Sequence, residues 1–421
     1  MSPLLLFCGL AMQTAPPRAD TNALLLNVRK KLSAAIHRPP NYVCTETINR
    51  TTLRPQMSLM PRSCEALRSL QSTPGWKLRD YIADRLRIDA TVAGDSLAHS
   101  WVGGASLDKR TLAELAESGT ILSGYFAPLI ASIFESNAAT ITLIGNINDH
   151  GRNLVQFGFH VPIEKSRFKI GSPQSHIVAG YSGTFDLDPS SSDLVDLTVR
   201  ADQLPFQLKL CDDITTLTFS PGQLENAAFM IPSNVQLRLV MSNGWEMHNR
   251  TEFSDCHEFA GSLPQSSSAS IDKPADKSID IPPGLPFRLA LTTPIVTEKA
   301  AAGDTFEARL ISPIRERHRK IVVPKGAIVK GRLLQVRRVY EDPGETLTIA
   351  LSIETVNDNG TERAFHAGFP PDSEGFDIRQ QLEKSETGPG GPHHTIKFID
   401  VASPTADFII KPGYEIDGVT Y

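Results

Sequence analysis

Few residues of this chain have the types and spacing that catalysis requires. A Ser-x-x-Lys pattern, in which lysine could activate a serine nucleophile, occurs at Ser106–Lys109, Ser166–Lys169 and Ser270–Lys273. The last copy lies in a segment of linker composition, and the partner motifs that such a nucleophile needs are missing. The sequence also contains no phosphate-binding loop, dinucleotide fingerprint, zinc-protease helix or calcium loop. We therefore predict a protein that is not an enzyme and needs no cofactor or metal.

A carboxylate pair is the remaining candidate for hydrolytic chemistry. Asp186 and Asp188 are two residues apart, so both side chains lie on one face of a strand and could flank a glycosidic bond. An acidic strand face or a turn cap explains the same spacing. The histidines are dispersed, apart from the adjacent His393 and His394 in a glycine- and proline-rich segment. An envelope hydrolase with an unrecognised site stays open as an alternative.

Positive charge is concentrated in one segment of a chain whose formal net charge is −5. The cations of this possible polyanion or partner patch are Arg315, Arg317, Arg319, Lys320, Lys325, Lys330, Arg332, Arg337 and Arg338. They could meet anionic lipid headgroups or cell-wall polymers. Charged outward faces on edge strands, which prevent sheets from aggregating, also explain them. Nucleic acid is not an expected partner, because aromatic side chains that could stack on bases are sparse there.

Four cysteines follow the N-terminal apolar run, at Cys44, Cys64, Cys211 and Cys256. An even number in an exported domain predicts two disulfides, with three possible connectivities. We favour the sequence-local pairs Cys44–Cys64 and Cys211–Cys256. Four reduced thiols in a cytosolic protein are the alternative.

The N-terminus predicts export. Residues 1–12 hold a short apolar run, and small and polar residues follow up to Asp20. The run is shorter than the roughly 20 apolar residues that span a bilayer, but it matches a secretory leader core of about 7–15 residues. Because no Lys or Arg precedes it, the true start could lie upstream. We predict a signal peptide over 1–20 and a periplasmic or secreted protein without a transmembrane span.

Alternating apolar residues predict a mainly β protein of the α+β class. Strands are predicted at Arg85–Val92, Val155–Ile163 and Glu345–Glu354, among others, and helices at Thr21–His37, Lys109–Glu117 and Tyr125–Glu135. The last helix carries an apolar stripe that would pack on a sheet or line an apolar groove with it: Phe126, Leu129, Ile130, Ile133 and Phe134.

A segment rich in Ser, Pro, Asp and Lys divides the chain. We predict an antiparallel-sheet domain with helices over 21–261, a flexible linker over 262–284 and a small β-barrel or sandwich domain over 285–421. Within the last domain, Asp372–His394 has the composition of a long loop.

Two motifs of the last domain resemble a known module. They are AAGDTFEARL around Gly303-Asp304 and VVPKGAIVKG at Val322–Gly331, in which Gly303 and Gly326 supply turn conformations. This "GD…PKG…KG" pattern resembles a small β-barrel of exported bacterial proteins and is distantly similar to the channel barrels of type IV secretion and conjugation. The first domain, with Gly183–Pro189 in its meander, resembles the half-barrel of lipoprotein carriers.

These features predict a non-catalytic binding or assembly protein of the bacterial cell envelope. The curved sheet under Tyr125–Glu135 would offer an apolar groove to a lipid-like or peptide ligand, and the last domain would contact an envelope protein. A structural component of a secretion or surface apparatus is the first alternative. The sequence predicts no oligomeric state.

Overall fold

The computed structural model describes the parts of the chain over which the fold is defined. These are residues 18–37, 41–56, 60–94, 96–103, 126–171, 176–220, 231–258, 281–316, 320–342, 344–358, 360–370, 385–388, 391–405 and 407–421. The predicted helix at Lys109–Glu117, most of the predicted leader and the predicted linker up to residue 280 lie outside them. Within the described ranges, no helix has both the length and the apolarity that a bilayer crossing requires.

The protein is mainly β and of the α+β class, with a large curved antiparallel sheet and few helices, as predicted. The helices are α1 Arg18–His37, α2 Cys64–Gln71 and α3 Ala127–Phe134. The strands of the first two thirds of the chain are β1 Tyr42–Pro55, β2 Leu78–Ala93, β3 Ser96–Trp101, β4 Thr140–Asp149, β5 Arg152–Val161, β6 Lys169–Gly171, β7 His176–Val178, β8 Gly180–Asp188, β9 Asp193–Asp202, β10 Leu210–Phe219, β11 Pro232–Met241 and β12 Glu246–Glu258.

The strands of the last third are β13 Pro286–Leu291, β14 Ile295–Val296, β15 Thr305–Leu310, β16 Ile314–Arg315, β17 Ile321–Val323, β18 Ile328–Glu341, β19 Gly344–Asp358, β20 Thr361–Ala364, β21 Ala367–Gly368, β22 Ser385–Gly388, β23 Gly391–His394, β24 Lys397–Ala402, β25 Ile409–Ile410 and β26 Glu415–Thr420. The expectation of a continuous loop over Asp372–His394 is wrong at its end, because β22 and β23 form a hairpin there.

The chain divides into two compact units. Unit 1 comprises Met1–Pro39, Tyr125–Leu208 and Asp212–Ser233, whereas unit 2 comprises Pro40–Gly124, Lys209–Cys211 and Asn234–Tyr421. This division differs from the predicted domains 21–261 and 285–421. Unit 2 combines early and late strands because these strands pair with each other, as described below.

Unit 1 contains a five-stranded antiparallel sheet in the order β4–β5–β8–β9–β10. Alternation in the sequence sets its two faces, as β5 shows. Phe157, Phe159 and Val161 are buried on one face, and Gln156 and His160 alternate with them on the other. Helix α1 buries an apolar stripe with helical spacing, formed by Leu24, Val28 and Leu32.

Unit 2 contains the ladder β11–β12–β1–β2–β3. The strands from the last third of the chain pair in the order β24–β19–β18–β15–β13–β26–β21, and β20 also pairs with β19. These late strands share one apolar core that includes Phe287, Phe306 and Leu351. Closure of the late strands into a barrel stays a prediction.

Early and late strands of unit 2 are joined by backbone hydrogen bonds. Strand β2 pairs with β18, the Arg87 amide donates to the Ala302 carbonyl at 2.7 Å, and the Ala302 amide donates to the Arg85 carbonyl at 2.8 Å. Gly303 follows at this junction with φ of 106°, and a Cβ there would lie 2.0 Å from the Arg87 carbonyl oxygen. The glycine of the "GD" motif is therefore required by this close approach as well as by its backbone conformation.

The favoured disulfide connectivity is wrong. The structure joins Cys44 to Cys256 and Cys64 to Cys211, both within unit 2. The ladder between β1 and β12 has a register shift after Val43, which places Cys44 beside Cys256. The partner of a strand cysteine lies on the neighbouring strand, and here that strand comes about two hundred residues later in the chain.

Candidate functional site

The buried face of the unit 1 sheet carries an aromatic cluster. Phe157 on β5 stacks on Phe185 on β8, its direct partner in the ladder, with 5.3 Å between ring centroids. Phe159 contacts Tyr181 edge-on at 6.1 Å. Strand alternation positions all four rings, because each lies an even number of residues from the other ring on its strand. The cluster gives the sheet a wide apolar surface lined by aromatic rings.

Helix α3 covers this aromatic surface. Its residue Phe134 meets Phe185 edge-on at 4.8 Å, and the Ser132 and Tyr181 hydroxyls share a hydrogen bond of 2.5 Å. The predicted apolar stripe is divided between core and surface. Ile130, Ile133 and Phe134 are buried, whereas Phe126 and Leu129 are only half-buried. The helix therefore fills the face that the sequence predicted as a groove, and its start leaves apolar surface open.

The Tyr181 hydroxyl is neutral at physiological pH. Burial raises the pKa of Tyr181 above its ordinary value, and the hydrogen bond with Ser132 opposes this shift only in part. Tyr181 and Ser132 thus form a polar contact between helix and sheet in otherwise apolar surroundings. The end of α3 is close to α1, where His37 lies 3.2 Å from Glu135.

A carboxylate that the sequence analysis missed lies on the buried side of β10. Asp213 is 7% exposed and alternates with the buried Thr215, Leu217 and Phe219. Burial, together with the charge of Asp212, raises the pKa of Asp213 to about 6. The sequence does indicate that Asp213 is buried, because it lies an even number of residues from the apolar Leu217 and Phe219 and therefore on the same face of the strand.

Asp213 makes the stability of the protein depend on pH. Because its pKa is higher in the folded state than its ordinary value of 3.8, folding favours the protonated form. We expect the wild type to lose roughly 3 kcal/mol of unfolding free energy as pH rises from about 4 to about 6. In Asp213→Asn this loss should disappear, so the variant should be the more stable protein at neutral pH.

Urea unfolding of both proteins across this pH range measures the effect. Asp212→Asn is the matched control, since Asp212 faces the other side of β10 and pairs with Arg200 at 2.8 Å. This control should keep the pH dependence and move it to slightly lower pH. Parallel curves for the wild type and Asp213→Asn would contradict the assignment.

The Asp186 and Asp188 carboxylates are both engaged by neighbouring groups. Asp188 accepts hydrogen bonds from the amide of Ser190 at 2.7 Å and from its hydroxyl at 2.6 Å, which lower its pKa and cap the turn after β8. Asp186 accepts a hydrogen bond from Gln156 at 3.0 Å, and its pKa is raised by burial and by Asp196. This geometry is that of a turn cap and an acidic strand face.

The predicted basic patch is divided in the structure. Arg332 is buried, forms a two-pronged ion pair with Glu354, and donates to the carbonyl of Gly303 at 2.7 Å. Lys330 pairs with Glu362 at 3.0 Å and Arg338 with Glu345, while Arg337 lies half-buried on β18. The exposed cations are Arg315, Lys320 and Lys325, and Arg317 and Arg319 lie outside the described residues.

Residues with metal-ligating side chains are not clustered in the part of the chain that the structure describes. Cys256, which precedes His257 and Glu258, is held in a disulfide. The backbone of His393 and His394 forms the end of β23.

No family model matches the sequence, and no curated protein matches it. Solved structures do show a distant likeness. A LolA superfamily protein from Nitrosomonas europaea has a TM-score of 0.25 at 8% identity, over 57% of this chain and 94% of that one. A putative outer membrane lipoprotein-sorting protein domain from Vibrio parahaemolyticus has a TM-score of 0.27 at 10% identity, with coverages of 57% and 94%.

A DUF1329 family protein from Desulfovibrio piger also has a TM-score of 0.27 at 10% identity, over 59% of this chain and 96% of that one. The name of one of these three structures refers to lipoprotein sorting, and none of the three is named as a type IV secretion barrel. TM-scores of this size carry no inference about a ligand or partner.

Proposed function

We propose that unit 1 binds a lipid-like apolar ligand between its aromatic sheet face and helix α3, as a non-catalytic binding protein of the cell envelope. The observation that carries this proposal is the way in which helix α3 covers the aromatic rings of the sheet. A broad surface of aromatic rings is covered by an eight-residue helix whose polar contact to the sheet is the Ser132–Tyr181 hydrogen bond.

Such a helix depends on its packing for stability. Isolated helices this short are unstable in water, so the position of α3 follows from the apolar contacts of Ile130, Ile133 and Phe134. An acyl chain can replace these contacts without exposing the aromatic rings to water. The exchange of one apolar neighbour for another costs little hydrophobic free energy, which makes α3 a suitable movable cover.

The lining favours a long apolar ligand over a peptide. The rings of Phe157, Phe159 and Phe185 offer no hydrogen-bond partner for peptide groups, whose burial without partners is costly. The hydroxyls of Ser132 and Tyr181 could bind the polar end of the ligand once α3 moves. Export is supported by the two disulfides, which persist in oxidising compartments.

The test combines lipid extraction of the purified protein with titration of a fluorescent fatty-acid probe. Ala201→Leu adds bulk on the buried face beside Tyr181, its partner across the ladder, and should weaken probe binding at least tenfold. Thr184→Leu adds similar bulk on the opposite face of the sheet and should leave probe affinity unchanged.

The outcomes decide between the functions that the sequence left open. Equal probe affinity in the two variants, or no extracted lipid and no probe binding in the wild type, would refute the proposal. Large assemblies of the wild type without bound lipid would instead favour a structural component of a surface apparatus.

A further inference from the structure

One end of the unit 1 sheet combines exposed apolar side chains with cations. Strand β5 ends there, β8 begins there and β9 ends there, as the pairs Val161–Tyr181 and Gly180–Asp202 show. The connection 162–179 and the turn after β9 therefore leave the sheet at the same end. We call six of the exposed residues of these two connections, three apolar and three cationic, the basic rim: Ile163, Lys165, Arg167, Lys169, Val178 and Phe206.

The apolar members of the basic rim face solvent. Ile163 is 50% exposed, Val178 40% and Phe206 77%. All three belong to the two connections that leave the sheet at the same end. Large apolar side chains that stay exposed at one end of a sheet are candidates for contact with a protein or a membrane.

The cations of the basic rim alternate with side chains that anchor the segment. Lys165, Arg167 and Lys169 are exposed. In contrast, Ile170 on β6 is buried, and the Phe168 ring lies 5.3 Å from that of Tyr181. The segment is also tied by main-chain bonds, since the Ala179 amide donates to the Phe168 carbonyl at 3.0 Å. The fold therefore holds these three cations on one side of a fixed segment.

The charge of the rim is mostly uncompensated. Within the described residues, Lys165, Arg167 and Lys169 take part in no ion pair, although Lys165 donates to the Asn137 carbonyl at 3.3 Å. Glu164 is the acidic residue of the connection 162–179, against three cations and the exposed His176. This surplus of positive charge contrasts with the net charge of −5 for the whole chain.

We propose that the basic rim docks unit 1 on the surface of a bilayer that contains anionic phospholipids. The three cations lie against lipid phosphates, and Ile163, Val178 and Phe206 enter the headgroup region. The flexible side chains of lysine and arginine need negative charge nearby but no partner of fixed geometry. The surface of an anionic bilayer offers negative charge of this kind, with an apolar layer beneath it. Docking goes beyond ligand binding by unit 1 and does not depend on it.

Flotation of the full chain with vesicles tests this proposal. Binding is expected to vesicles of phosphatidylcholine with one quarter phosphatidylglycerol, to fall with added NaCl, and to be weak with phosphatidylcholine alone. The variant Lys165→Gln/Arg167→Gln/Lys169→Gln should lose roughly a hundredfold in partition coefficient. Phe206→Ser should weaken binding at all salt concentrations, because its contribution is apolar.

A matched control comes from unit 2. Lys320→Gln/Ile321→Ser/Lys325→Gln removes two exposed cations and an isoleucine that is 49% exposed, and it should leave vesicle binding unchanged. All of these side chains are exposed, so thermal unfolding and fatty-acid probe affinity should match the wild type. This separates a failure of docking from a failure of the proposed function.

The proposal is overturned by any of three results. Loss of vesicle binding in the unit 2 control but not in the rim variant would place the docking surface elsewhere. Equal binding to neutral and anionic vesicles, or none to either, would exclude an anionic bilayer as the occupant. Concentration-dependent self-association abolished by Phe206→Ser, without vesicle binding, would assign the rim to a contact between copies of the chain.

Discussion

Asp84→Leu should lower the unfolding free energy by about 3–5 kcal/mol, because it leaves the buried Arg50 guanidinium without its carboxylate. The two side chains are each 6% exposed and form a two-pronged ion pair, with Nε to Oδ1 at 2.7 Å and Nη2 to Oδ2 at 2.5 Å. Arg337 is the partner of Asp84 in the ladder between β2 and β18, so a second cation lies nearby. Removal of the carboxylate thus removes a negative charge from beside two arginines.

Urea unfolding at neutral pH measures this loss. The double variant Arg50→Met/Asp84→Leu should recover most of it, because an apolar pair of similar volume needs no compensating charge. Asp417→Asn is the control, because it removes the carboxylate of an arginine–aspartate pair that is exposed to solvent. It breaks the Arg288–Asp417 pair, whose side chains are both more than half exposed, and should leave the unfolding curve unchanged. If Asp84→Leu unfolds like this control, the Arg50–Asp84 pair does not determine stability.

The positions of the strands could be predicted from the sequence better than the pairing between strands. Alternation in Arg85–Val92 correctly assigns Leu86, Ile88, Ala90 and Val92 to a buried face. It says nothing about which strand lies alongside, since every apolar strand face satisfies the same pattern. The pairing of β2 with β18, and hence the composition of unit 2, depends on contacts between residues more than two hundred positions apart.

The candidate site shows the same limit. The apolar stripe of α3 was predictable from its helical spacing, whereas the way its residues divide between core and surface depends on the sheet beneath. The basic patch was predicted from a run of charges without knowledge of their partners. In the structure, Glu354 and Glu345 neutralise Arg332 and Arg338, and a linear sequence does not show that such residues face each other.

Removal of the Cys44–Cys256 disulfide by Cys44→Ala/Cys256→Ala should lower the unfolding free energy by about 4 kcal/mol. The bond spans 212 residues, but the nested Cys64–Cys211 bond stays in this variant and spans 147 of them, so the loop that opens has roughly 65 residues. The variant Cys64→Ala/Cys211→Ala should lose a similar amount, because the Cys44–Cys256 bond stays in it.

Peptide mapping under non-reducing conditions tests the connectivity directly. Trypsin can cut after Arg50 and Arg62, so the peptides of Cys44 and Cys64 separate unless a disulfide joins them. We expect the Cys44 peptide to remain linked to that of Cys256, and the Cys64 peptide to that of Cys211. Urea unfolding of the oxidised wild type and the two variants then measures each contribution. Peptides that join Cys44 to Cys64 would be incompatible with the ladder between β1 and β12, because Cys44 lies beside Cys256 in that register.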